Sequence, residues 1–102
     1  MPRPRKPRCC RAFEGDRVFK PRGLPMAELA VVRLGLDELE ALRRCDLEGE
    51  SQTAAGVPMG VSRGTVQRLV KSARRKVVRA LLEPAALVIE TGEDDENLRS
   101  DA

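Results

Sequence analysis

The sequence predicts a small, mainly α-helical domain built on a helix-turn-helix, with an extended basic arm ahead of it and one or two short strands. Three observations carry that expectation. A turn signal at Gly60 separates two short apolar-periodic segments, and an acid-free cationic stretch follows it. The composition, 102 residues with two Phe and no Trp or Tyr, allows one aliphatic core of about three to five elements.

Met1 to Arg11 is proline-spaced and basic. Proline removes backbone donors and fixes φ, so this segment reads as an extended arm, disordered when free. Arg3, Arg5, Lys6 and Arg8 are its candidate contacts to phosphates or a minor groove. A solubilising tail is the plainer alternative. From Phe13 to Pro25 the chain continues irregularly, with Phe19 and Leu24 expected to anchor a loop that Pro21 and Pro25 stiffen. The expected organisation is an arm and loop over 1–25, a helix-turn-helix domain over 26–90 and an acidic, disordered tail over 91–102.

Met26 to Arg33 is ambiguous by periodicity between a short helix and a helical turn leading into a strand at Ala30–Leu34; the second is preferred. Asp37 starts the first clear helix. Asp37 and Glu40 have capping-box spacing, Leu36 can staple onto Ala41, and Gly49 is a natural stop. Leu39, Leu42 and Cys45 or Leu47 should face inward, with the acids, Arg43 and Arg44 outward. Ser51 then caps the first motif helix, Gln52 to about Met59, which Pro58 should shorten or bend.

Gln52 to Lys71 is the stretch around which the chain is organised. With a tight turn at Gly60, Ala55, Met59, Val61, Val66 and Leu69 become the buried contacts, and Gly56 permits close approach of the helices. Ser62 caps the second helix. Arg63, Thr65, Gln67, Arg68 and Lys71 occupy faces that the core does not need, the pattern of a helix that enters a major groove. Three-or-four spacing continues through Ala73, Val77 and Ala80 or Leu81 to Glu83, where Pro84 ends it. At roughly six turns the helix is long for recognition alone. Its remainder would pack on the Asp37 helix or on a second copy of the chain. Ala85 to Glu90 reads as a short strand that can pair with Ala30–Leu34.

Charge sharpens the functional reading. Ser62 to Leu82 holds seven Lys/Arg and no acid, whereas residues 35–50 hold six acids against two Arg. Solvated helical faces usually alternate sign, so an unbroken cationic helix beside a basic arm fits a polyanion. Scarce aromatics argue against modules that stack unpaired bases. No run approaches the roughly 18 apolar residues of a membrane span, no signal peptide is visible, and three cysteines do not form a disulfide framework. A cytoplasmic protein is the simplest expectation.

The motifs M-P-R-P-R-K at Met1–Lys6, F-K-P-x-G-x-P at Phe19–Pro25, D-E-L-E-A-L-R at Asp37–Arg43, D-L-E-G-x-S-Q at Asp46–Gln52 and M-G-V-S-R-G-T-V-Q-R at Met59–Arg68 occur in that order. Together they resemble the small prokaryotic family called domain of unknown function one hundred and thirty-four, whose members are described as candidate DNA-binding proteins. The helical part is also similar to region four of sigma factors, a helix-turn-helix that reads promoter DNA. By motif match, the resemblance implies DNA contacts at Ser62, Arg63, Thr65, Gln67 and Arg68. The chain departs from that pattern at Thr53, Val57 and Pro58, where relatives tend to carry charged helix formers, and at Gly64, where they often carry proline.

The leading expectation is therefore a sequence-specific double-stranded-DNA-binding transcriptional regulator. Arg63 or Arg68 would donate to a guanine edge, Gln67 would pair with adenine and Thr65 would touch a phosphate or thymine methyl. Lys71, Arg74 and Arg75 would neutralise phosphates, and Gly64 would let a phosphate approach the free amides at the helix start. A homodimer is expected, since two half-sites supply what one motif lacks. The alternative is a protein-interaction module docking on RNA polymerase or another partner without reading DNA. Redox or metal sensing through Cys9, Cys10 and Cys45 is a third reading, opposed by the lack of His and of tetrahedral spacing. No enzyme, cofactor or metal site is expected, because Ser51, Ser62 and the Asp37–Glu40 pair are better explained as caps.

Overall fold

A computed structural model describes residues 17–89. The arm residues Arg3, Arg5, Lys6 and Arg8, the pair Cys9 and Cys10, Glu90 and the acidic tail lie outside the described residues.

The fold is mainly helical, with a small sheet on one side. In chain order come β1 (Arg17–Phe19), a 3-10 turn (Met26–Glu28), β2 (Ala30–Leu34), α1 (Leu36–Leu42), a π turn (Arg43–Leu47), α2 (Gln52–Met59), α3 (Arg63–Leu82) and β3 (Ala85–Ile89). The expected turn into a strand at Ala30 is present, and the anticipated pairing of that strand with Ala85 onward is parallel, Ala30 opposite Ala85 and Leu34 opposite Ile89. A third strand was not expected. β1 runs antiparallel to β3, Val18 opposite Val88, in a sheet of order β1-β3-β2. It falls within the stretch read as loop because three residues are too few to show a period.

The central position of β3 explains its composition, A-A-L-V-I, since a strand flanked by others and covered on both faces needs apolar residues throughout. On one face Ala86 and Val88 pack with Leu29 and half-buried Leu24. On the other, Leu34 and Ile89 pack against Ala73 of α3, with Leu36, Leu39, Leu42 and Leu87 at the margin. Leu24 is thus an anchor as expected. Phe19 is not: it is 55% exposed at the sheet edge, because its short strand extends beyond the helical layer's cover.

The Asp37 region differs from expectation in three ways. The helix begins at Leu36, one residue earlier, with Gly35 as its cap, whose amide donates to Glu38 Oε1 at 2.8 Å; Asp37 Oδ1 merely accepts the neighbouring Glu38 amide. Glu38 and Glu40 are buried, at 8% and 3% exposure, instead of facing solvent. Glu40 is held by Arg43 and Arg44 at 2.7 and 2.8 Å, and Glu38 is held by α3. Ion pairing makes burial of these acids tolerable. Finally, the helix does not run regularly to Gly49. It widens into a π turn, with the Glu48 amide bonded to Arg43 O at 2.9 Å. That widening turns Leu47 out to 77% exposure and leaves Cys45 half-buried against the helical core.

Candidate nucleic-acid interface

The candidate interface comprises α2, a tight turn and the first turns of α3. Ser51 caps α2 by accepting the Ala54 amide at 3.0 Å. Despite Pro58 the helix runs unbroken to Met59, since Ala55, Gly56 and Met59 are buried and tertiary packing offsets the lost donor. Gly60 then adopts φ +73°, and two backbone bonds close the end of the helix: Val61 N to Gly56 O at 3.0 Å and Gly60 N to Val57 O at 3.2 Å. This is a Schellman closure, which needs a left-handed residue where Gly60 stands.

Gly56 is demanded by the same geometry. A Cβ there would lie 2.5 Å from Val61 O and 3.5 Å from Val66 Cγ2. Ala41, Ala55, Met59, Val66 and Val70 form the core beneath the motif, with Leu42, Cys45, Val61 and Leu69 half-buried around it. The five core contacts expected of the motif all lie in this cluster.

Ser62 caps α3 as expected. Its Oγ accepts the Thr65 amide at 3.2 Å and donates to Thr65 Oγ1 at 3.1 Å. Arg68 Nη2 donates to the same Thr65 oxygen at 3.2 Å, and Arg63 Nη1 donates to Gln52 Oε1 at 3.1 Å, tying the starts of the two motif helices together. Ser62, Arg63, Gln67 and Arg68 are exposed; Gly64 and Thr65 are half-buried. The side chains expected to touch DNA therefore share the first turns of one helix and its cap, and the charged ones are parked only on neutral oxygens. Gly64 has open surroundings, the nearest atoms to a Cβ there lying at 3.9 Å.

Further along α3 the cations divide into two groups. Lys71 and Arg75 are exposed and, among the described residues, have no hydrogen-bond or ion-pair partner. Arg74 differs from the expectation of a free phosphate contact: it makes a bidentate pair with Asp46 of the π turn at 2.9 and 2.7 Å. Lys76 is committed to Glu38 at 2.8 Å, and Arg79 pairs with Glu83 at 3.0 Å. Arg68, Lys71, Arg74, Arg75 and Arg79 nevertheless line one open groove along the helix.

The ionisation of these groups follows their contacts. Arg74 beside Asp46 holds that carboxyl below its ordinary value, and the carboxylate in turn raises the guanidinium. At Glu38 burial works to raise the pKa. Hydrogen bonds from Lys76, Ser72 and the Gly35 amide outweigh it, so the carboxyl titrates below its usual range. Burial pushes the Cys45 thiol up, and the Asp46 and Glu50 charges add to this, which keeps it a protonated core residue. No group of three His, Cys, Asp or Glu among the described residues is placed to hold a metal ion. No helix among them is long and apolar enough to cross a membrane.

Residues 1–97 match the family model described as "Protein of unknown function DUF134". The chain belongs to the DUF134 family. Its relatives include a UPF0251 protein of Pelotomaculum thermopropionicum, 48% identical over 92 residues, which covers 90% of this chain and 70% of the relative. A UPF0251 protein of Aeromonas salmonicida is 45% identical over 95 residues, covering 93% of each chain. Another, from Shewanella sediminis, is 46% identical over 89 residues, covering 87% of this chain and 93% of its own. No solved structure matches this DUF134 chain. The DUF134 match spans the motif and both flanking segments, so α2, the Gly60 turn and α3 belong to the family's shared region.

Proposed function

We propose that this DUF134 protein binds double-stranded DNA sequence-specifically as a cytoplasmic transcriptional regulator, inserting the N-terminal turns of α3 into the major groove. One observation carries the reading. The first turns of α3 are exposed, cationic and free of acids, and the Ser51 and Ser62 caps and the Gly60 turn hold them on a buried aliphatic core. Base reading is assigned to Arg63, Gln67 and Arg68 with Thr65, and phosphate neutralisation to Lys71 and Arg75. A homodimer would place two such helices on half-sites about one helical turn apart.

Selection of binding sites from random duplex, followed by titration over a range of salt, tests this. Arg68→Ala should cost about 1–3 kcal/mol on the selected site and relax base choice at one position. Lys71→Ala should weaken every duplex alike and flatten the log–log salt slope by about 0.9. A palindromic selected site would accompany dimeric binding. If the wild-type chain has no duplex affinity at low salt, the proposal fails and docking on a protein partner such as RNA polymerase takes its place.

A further inference from the structure

Of the acids from Glu40 to Glu50, Asp46 is the one that pairs with a cation on the exposed flank of α3. Glu40, Glu48 and Glu50 are occupied by Arg43 and Arg44 close to their own segment. Asp46 instead crosses to Arg74, 28 residues away in the chain, and takes both Nε and Nη2 of the guanidinium. It thereby sets a carboxylate against Arg74, one of the cations that line the α3 groove with Arg68, Lys71, Arg75 and Arg79, where Glu83 at the far end is paired with Arg79.

The pair is a poor candidate for a stabilising device. Its side chains are 59% and 38% exposed, a setting in which ion pairs contribute little to folding. Its electrostatic consequence is larger. Sequence-independent binding of duplex consists of phosphate contacts, each adding about 0.9 to the salt slope. A guanidinium already matched by a carboxylate releases no counterion, and the carboxylate repels the approaching phosphate.

Resting on the duplex-binding reading above, we infer that Asp46 silences Arg74 as a phosphate contact and so restrains sequence-independent binding of DNA. Asp46 is a specificity residue in the sense that it lowers the background against which base reading operates. Asp46 stands on the π turn, Arg43–Leu47, a departure from regular helix between α1 and α2.

The test is a double-mutant cycle on random-sequence duplex, with wild type, Asp46→Asn, Arg74→Ala and the double variant each titrated with salt. Asp46→Asn should steepen the slope by about 0.9, roughly eightfold tighter binding at 0.1 M salt than an unchanged slope from 1 M would give. That gain should vanish in the Arg74→Ala background. Circular dichroism melts confirm that each variant is folded. An unchanged slope in Asp46→Asn overturns the inference, and so does a gain that persists without Arg74, which would make Asp46 a general repulsive charge. Weaker binding by Asp46→Asn also overturns it, by showing that Asp46 positions Arg74 for phosphate. Wild-type protein without duplex affinity removes the functional reading and this inference together. Wild-type affinity with no effect at Asp46 removes this inference alone.

Discussion

Gly56→Ala sets a helix-propensity gain against a packing clash at the centre of the motif, and the distances decide which wins. Alanine in a helix interior is favoured over glycine by about 1 kcal/mol. The new Cβ, however, would sit 2.5 Å from Val61 O, where ordinary contact begins near 3.5 Å, so the backbone must yield by roughly 1 Å. That oxygen belongs to the chain segment closing α2 and leading into the Ser62 cap, and it has no flexible side chain to absorb the shift. Overpacking of this kind costs about 1–3 kcal/mol, and a backbone obstacle places it at the upper end. The net expectation is a loss of about 2 kcal/mol, or a melting temperature lower by roughly 8–16 °C for a domain of this size. Gly64→Ala is the internal control. Its Cβ meets nothing nearer than 3.9 Å, so it should hold or raise stability by up to about 1 kcal/mol. Thermal and urea unfolding followed by circular dichroism measures both. A Gly56→Ala variant as stable as wild type would refute the close-approach account of the motif.

The other expectations concern the acids and the cap. Glu38 has a folded pKa below its unfolded value, so its contribution is present above about pH 4.5 and lost as pH falls through the folded value. The urea midpoint of the wild type should therefore drop on acidification from about pH 5 to 3, and that of Glu38→Gln should drop less. Glu40→Ala strips a buried acid from Arg43 and Arg44 and should cost about 3 kcal/mol by urea unfolding, the low end for such sites because Glu48 and Glu50 still partner the arginines. Ser62→Ala removes the cap of α3 and should cost about 1 kcal/mol. It also removes the Ser62 Oγ donor from Thr65 Oγ1, the oxygen on which Arg68 rests, so duplex affinity should fall more than a distant cap loss such as Ser51→Ala would cause.

What the sequence by itself determined is whatever a few neighbouring residues settle among themselves. The Gly60 turn, the Ser51 and Ser62 caps, the apolar period of the long helix and its end near Pro84 depend on contacts three or four positions apart, and all are present. The strand after Pro84 was legible from its unbroken apolar run, and the segregation of charge marked the cationic helix. Only the tertiary structure decided where the charges went. Glu38 meets Ser72 and Lys76, 34 and 38 residues away, and Asp46 meets Arg74 across 28. Sequence pattern treats an acid as solvated unless a partner is nearby in the chain, so it placed Glu38 outside and left Arg74 free; Glu40 has its partners Arg43 and Arg44 within one helical turn, and only its burial depended on tertiary packing. The same limit hid β1, whose pairing and exposed Phe19 depend on β3 at the far end of the domain. Local chemistry shapes the elements; the ion pairs that hold α1 and the π turn against α3 form only when packing brings distant segments together.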